Sequence, residues 1–460
     1  MFEALLTITA AVVAGGVAWG AYGHNDTLHP LIFLMPAAGF MYVIRPWSLY
    51  RDGALEEFFT AAELTFIQGF SLACVAALAF GCVWGSRHLR RDANRLDLHS
   101  YLSSTTSDAQ LYRLALTLGG IGILLYLYGL YNVGGFVAAY NAPKGGGWAA
   151  TGYLRDFKIL VVPAIILLFM SRGKTQWRSQ HTLLVALFSS PLLIHGLLSA
   201  RRGPTFMGIV CVVVSWYLSR HTRPVLWKVL AGGAATGILL LVLVTFRGQI
   251  YLGSSFFGGE GPTPTFVIEQ GLERTDEAKY GNEYIYGGYS LLGASRKQDF
   301  YWGKRYLTYV FIRPIPSALW PSKYEDVGMG EVNQNAGTLI RASGIPTERL
   351  PMGAAPGFAA DLYLEFWWFA LLATMGIGWL YGFAWRRNVT HGGWWRVLYV
   401  TLLVFSLYLV AQTMEAVLFR FLEVLIPTTL GWAAMRQGNL TARRERVAHL
   451  LSKRAPPAPS

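Results

Sequence analysis

Long apolar stretches recur along almost the whole chain, and that recurrence fixes the solvent in which it can fold. Mainly apolar segments of about 17 to 25 residues, the length that spans a hydrocarbon layer, fall near residues 2–22, 29–48, 62–86, 111–133, 157–171, 182–199, 205–219, 228–246, 361–384, 396–413 and 417–435. An apolar content of 53% with only 14% charged residues is too lean in charge for a soluble domain of 460 residues. The expected fold is an all-α polytopic membrane protein with about eleven transmembrane helices, within a range of about ten to thirteen. One large, partly helical loop separates the eighth span from the ninth. The chain therefore divides into an N-terminal bundle over 1–246, a loop domain over 247–360, the C-terminal spans over 361–435, and a basic tail over 436–460 expected to be disordered at its end.

Met1 to Tyr22 carries Glu3 and no Lys or Arg, so it lacks the basic start of a cleavable signal peptide and reads as the first span. Cys74, Cys82 and Cys211 all fall inside apolar segments, which leaves no basis for a disulfide framework or a thiolate metal site.

Lys and Arg gather in alternate connections: Arg87, Arg90, Arg91 and Arg95; Arg172, Lys174 and Arg178; Arg220, Arg223 and Lys228; Arg386, Arg387 and Arg396. The positive-inside rule assigns those faces, and the tail with Arg436, Arg443, Arg444, Arg446, Lys453 and Arg454, to the cytoplasm. The large loop and the N-terminus then lie outside. Residues 248–360 hold ten Lys plus Arg against eleven Asp plus Glu, so the chain's net charge of +13 resides entirely in the remainder. Its basic character reports membrane orientation and gives no reason to expect nucleic acid.

Charges that break this pattern are the site candidates. Arg201 and Arg202 sit in an outside turn of a few residues between two spans, where guanidinium groups are costly unless they meet a polar cavity, an anion or, by snorkelling, lipid phosphate. Arg247 ends the eighth span on the same side. In "VAQTMEAVLFRFLEVLIP", Gln412, Glu415, Arg420 and Glu423 lie within or beside the bilayer. Arg420 and Glu423 are three residues apart, which suits a pair on one helix face, but an intramembrane arginine is also a candidate for function.

The loop runs "GNEYIYGGYSLLG" and "YLTYVFIRPIPSALWPSKY" are too aromatic for a disordered linker. Such faces stack on sugar rings, or rest in the headgroup layer. Arg247 and Gly258 stand in an Arg, ten residues, Gly pattern that a chain with 50 glycines produces easily. The loop contains no histidine, which removes histidine nucleophile schemes and zinc schemes from it. His195 reads as a satisfied helix residue. No two acidic residues stand at a spacing of two, so neither a metal nor any other cofactor is expected.

What remains is arginine with carboxylates. Arginines hold a diphosphate through bidentate, charge-assisted bonds and offset the charge that grows as it leaves. An acceptor hydroxyl needs a base, for which Glu331, Asp361 and Glu365 are the candidates. Asp361 and Glu365 are four residues apart, hence on one face of a helix entering the membrane, with Glu365 the deeper. A dipole role at a helix start competes for Asp361.

The "SARRG" turn opening a span, "FIRPIPSALWPSKYE" within the loop, and "PGFAADLYLEFWWFALLATMGIGWLYG" on the way back to the membrane together resemble the bacterial O-antigen polymerases of Wzy type, the oligosaccharide repeat unit polymerases. The resemblance covers most of the chain as topology and is specific in those three patches. Arg313 before Pro314, and Trp320-Pro321-Ser322-Lys323, fit the family's loop segment, whereas Leu364-Glu365-Phe366-Trp367 departs from its Asn-Phe-Gly. The resemblance implies an inner-membrane glycosyltransferase, metal-independent, that moves a growing glycan from its lipid diphosphate onto one lipid-linked repeat unit. It implies that Arg201, Arg202 with Gly203, Arg247, Arg313, Arg341 and Arg420, with Trp320 and Lys323, would hold undecaprenyl diphosphate and sugar, beside membrane lipid and a chain-length regulator as partners. Two other readings stand beside it. A glycan ligase shares the donor but commonly carries a loop histidine. A flippase would show internal repeats and midplane charges.

Overall fold

The computed structural model describes residues 1–87, 107–141, 153–172, 176–220, 222–246, 249–252, 282–329, 340, 343–344 and 354–454, with only the backbone of 153–155, 244–245 and 437–454. All regular structure among the described residues is helical. The main helices are α1 (Phe2–Gly23), α2 (Leu31–Arg51), α3 (Ala61–Ser86), α4 (Asp108–Asn132), α5 (Val161–Ser171), α6 (Ser179–Leu198), α7 (Arg202–Ser219), α8 (Leu226–Thr245), α9 (Glu283–Lys297), α10 (Gly357–His391), α11 (Trp394–Val404), α12 (Ser406–Ala411) and α13 (Met414–Arg454).

Eight of these are long and apolar enough to cross a membrane: α1 to α4, α6, α8, α10 and the first part of α13. The other expected spans, 157–171, 205–219 and 396–413, are helical too but depart from that form. The first is a 3-10 segment, Tyr153–Leu160, running into the eleven-residue α5. Every residue of α5 from Val161 to Phe169 is buried, packed among α4, α6, α7 and α11. A helix that is apolar on all sides belongs at the centre of a bundle. The 396–413 stretch breaks into α11 and α12, followed by a non-helical Gln412–Thr413 link.

Local signals set several helix starts. Thr60-x-x-Glu63 and Ser107-x-x-Gln110 form capping boxes, each satisfying backbone donors that the first turn leaves open. α3 and α10 form the most extensive helix pair. Gly81 and Gly85 on α3 face Gly378 and Gly382 on α10, and a Cβ on any of the four would overlap the opposing backbone. Spacing small residues four apart on both helices is what lets two membrane helices touch backbone to backbone.

Within α10 the helix breaks at Trp367, whose φ is +53°. The following limb, Ala370–His391, has 22 residues and is sufficient to cross by itself. Trp367, Trp368 and Phe369, exposed at 38%, 44% and 57%, form an aromatic step at the break. Asp361 and Glu365 therefore sit on a short limb, Gly357–Phe366, set off from the longer one by the break at Trp367.

The basic connections meet at one end of the bundle. Arg223 pairs with Asp26 at 2.7 Å, Thr27 bonds the Pro224 carbonyl, Trp385 Nε1 bonds Asp26, and an Arg386 guanidinium N–H bonds the Arg87 carbonyl. The described loop residues 282–329 pack at the other end, where Arg296 pairs with Glu63 at the start of α3 at 2.5 Å.

Candidate functional site

Two charged clusters flank the start of α13 at the loop-bearing end. The first is organised by Arg305, in the short helix Lys304–Leu307 of the loop. Its side chain is 1% exposed and lies 2.5 Å from Asp361, 2.8 Å from Glu365 and in contact with Glu415, all three of them buried. Asp361 also accepts from the Tyr306 hydroxyl and from Met414 N–H at 2.9 Å each, the latter an open donor at the first turn of α13. Glu365 accepts from Gly303 N–H at 2.7 Å, and Tyr301 and Trp302 N–H bond the Leu364 and Glu365 carbonyls. Arg305 Nε and Glu365 Oε1 are close but poorly aligned, so they make an ion pair without a hydrogen bond.

Burial opposes the charged guanidinium, but the Asp361, Glu415 and Glu365 carboxylates outweigh it and hold Arg305 well above its ordinary pKa. Burial, then the Asp361 carboxylate, pushes the Tyr306 phenol well up, keeping it a donor. One cation thus joins the loop, the α10 limb and α13. The expected bases Asp361 and Glu365 have their oxygens engaged in that joint. Arg305 carries no sequence signal, because "GKRY" looks like any loop surface.

The second cluster surrounds a cavity of about 60 Å3 lined by Asp156, Lys158, His195, Arg201, Tyr408 and Arg420, with Ile159, Leu192, Pro204 and Met207 as its apolar wall. That is room for about four to six water-sized atoms, the scale of one phosphoryl group. Arg201 comes from the turn between α6 and α7, where Ala200 takes a φ of +47°. Gly203 lets the Tyr408 ring pack against the backbone of α7, since a Cβ there would collide with it. The Arg420 guanidinium lies 5.2 Å from the centre of the same ring. Asp156 and Lys158 arrive from the 3-10 segment ahead of α5, and Lys158 is 6% exposed. Among the described residues three cations against one carboxylate make the lining net positive.

Arg313 adjoins this cavity from the loop. It lies 4.0 Å from Asp156, and its guanidinium stacks on Tyr309 and on Phe419 of α13. Glu423, one turn below Arg420, is 5% exposed, and neither of its oxygens has a hydrogen-bond partner among the described residues.

The structure thus brings Arg201, Arg313 and Arg420 together and sets Arg202 apart, paired with Glu283 at the start of α9. Lys323 is 3% exposed and donates to the Arg313 and Ile315 carbonyls, tying the Pro-rich turn, while Trp320 Nε1 donates to Asp326. Arg247, Glu331 and Arg341 lie outside the described residues. Asp156 and Lys158 escaped the sequence reading although "RDFK" puts charge directly ahead of an apolar run. Among the described residues no group of three or more His, Cys, Asp or Glu is placed to hold a metal ion. Comparison with protein-family models, curated proteins and solved structures gives no match.

Proposed function

We propose that this chain is a glycosyltransferase of the cytoplasmic membrane that polymerises oligosaccharide repeat units carried on a lipid diphosphate into a surface polysaccharide. The observation that carries the reading is the positive cavity formed by Lys158, Arg201 and Arg420 beneath the loop-bearing end of an apolar bundle. Guanidinium and ammonium groups there suit a diphosphate at the headgroup level, with the polyprenyl chain left in lipid. Positive charge placed before the reaction also stabilises the charge that builds on a departing diphosphate.

In this reading all eleven helical segments count as crossings, with α5, α7 and the broken α11–α12 packed beside the eight longer helices. The end that collects Arg87, Arg223 and Arg386 faces the cytoplasm with the C-terminus, and the loop faces outward. Undecaprenyl-diphosphate-linked oligosaccharide is the substrate, and loop aromatics such as Trp320 offer faces for its sugars. A chain-length regulator is the partner expected.

The test uses proteoliposomes loaded with lipid-linked repeat units extracted from the native strain. The expected product is a ladder of lipid-linked glycans, strongly reduced by Arg201→Lys and Arg420→Lys. Transfer of glycan to a different anchor without a ladder would favour a ligase. Movement of lipid-linked units across the bilayer without any new glycosidic bond would favour a flippase.

A further inference from the structure

Asp361 and Glu365, the carboxylates that the sequence offers as bases, are each fully buried and bound to Arg305, and neither lines the cavity. Asp361 has one oxygen on Arg305 and the other on Tyr306 and Met414 N–H. Among the described residues one carboxylate does line the cavity, from the 3-10 segment ahead of α5. Asp156 stands in the wall with Lys158, Arg201 and Arg420, is itself engaged in polar interactions, and has its Oδ2 4.0 Å from the Arg313 guanidinium. A carboxylate in a cavity that binds an anion works against binding unless it has a separate task.

We infer that Asp156 is the catalytic carboxylate that takes the proton of the acceptor hydroxyl at the mouth of the cavity, while Lys158, Arg201 and Arg420 hold one phosphoryl group of the departing diphosphate. The inference rests on the proposed function. The acceptor oxygen forms its bond to the anomeric carbon as its proton passes to an Asp156 oxygen. The bond from that carbon to the diphosphate oxygen breaks, and its electron pair leaves with the polyprenyl diphosphate, whose added negative charge meets the three cations. The proton held by Asp156 passes to water after product release. One displacement of this kind inverts the anomeric centre. Arg313, arriving from the loop, is a positioning residue: its charge and its stacking on Phe419 hold the loop beside Asp156.

The experiment uses the full-length protein in nanodiscs, with undecaprenyl diphosphate as the binding probe and native lipid-linked repeat units for turnover. Asp156→Asn is expected to lower turnover by about 100-fold or more, the range of a lost general base. Its affinity for undecaprenyl diphosphate should stay within about threefold or tighten, because removing a negative charge cannot weaken an anion site by repulsion. Asp156→Glu should recover part of the turnover, and the new linkage should show inverted configuration by NMR. Turnover in Asp156→Asn above one tenth of wild type overturns the assignment, as does a loss of probe binding parallel to the loss of turnover, or a retained configuration. A wild-type protein that neither binds the probe nor makes polymer overturns the proposed function itself. A wild type that does both, beside an equally active Asp156→Asn, overturns the role of Asp156 alone.

Discussion

Arg305 and Asp361 meet at 2.5 Å with neither side chain more than 1% exposed, and they come from segments 56 residues apart. Glu365 and Glu415 crowd the same guanidinium. Taking one partner from a buried pair leaves an uncompensated charge, which costs about 3–5 kcal/mol. Arg305→Ala should therefore lower the melting temperature of the detergent-solubilised protein sharply and loosen the loop to protease, with Asp361→Asn acting in the same direction. An Arg305→Ala protein that melts like wild type would show that the three carboxylates do not depend on that cation.

The glycine contact between α3 and α10 gives a second test with an internal control. Gly85→Leu places a side chain against the Trp379 carbonyl, and Gly378→Leu against that of Leu78. Forced overpacking costs at least about 1–3 kcal/mol and here pushes two backbones apart. Both variants should lose monodisperse folded protein in size-exclusion chromatography. A Cβ at Gly232 or Gly237 on α8 would meet no other element within 4 Å among the described residues, so Gly232→Leu and Gly237→Leu should behave as wild type.

The helical segments were legible because apolar length is a direct consequence of bilayer thickness. All eleven stretches read from the sequence are largely helical, although 396–413 is interrupted and the helix holding 417–435 runs on to Arg454. Tertiary context was not legible where helices break. The left-handed φ of Trp367 and the Gln412–Thr413 interruption leave no composition signal, and they decide where Asp361, Glu365 and Met414 sit. The site was legible where charge violates its surroundings, as with Arg201 and Arg420 in apolar company. Lys158 and Asp156 were hidden, because charged residues at the edge of a span look like an ordinary flank. Arg305 was hidden because nothing in a loop sequence shows that its guanidinium is enclosed by carboxylates from two other helices.

Acid sensitivity should originate at the opposite end of the bundle. Burial, reinforced by the nearby His24 ring, lowers the pKa of His29 from 6.5 to about 3. His29 N–H bonds the carbonyl of Asp26, whose carboxylate pairs with Arg223, the Tyr399 hydroxyl bonds the neighbouring Leu28 carbonyl, and the Trp385 ring packs on His29 at 4.7 Å. The folded state thus keeps His29 neutral while the unfolded chain protonates it near pH 6.5. Stability is complete above that pH and falls as pH drops from 6.5 toward 3, with a limiting slope of about 1.4 kcal/mol per pH unit for one proton. Melting curves between pH 7.5 and 5 should show this loss, and His29→Gln should flatten the dependence. An equal slope in wild type and His29→Gln would place the acid-sensitive group elsewhere.

Arg201 and Arg202 are adjacent in sequence but have different environments, and their variants should separate accordingly. Arg201 lines the cavity, whereas Arg202 pairs with Glu283, the first residue of α9, and so fastens the loop to the start of α7. Arg201→Lys keeps the charge but loses the planar fork, so it should reduce turnover and undecaprenyl diphosphate affinity by about tenfold or more while the melting temperature holds. Arg202→Glu should instead release α9, exposing the loop to limited proteolysis, and the double variant Arg202→Glu with Glu283→Arg should restore protection because the pair is re-formed with its charges exchanged. Proteolysis rates and probe affinity measured on all three variants check the division. If Arg202→Glu leaves the loop protected, or the exchange fails to rescue a loop that it exposes, the pair does not fasten α9, and Arg202 belongs with Arg201 at the ligand.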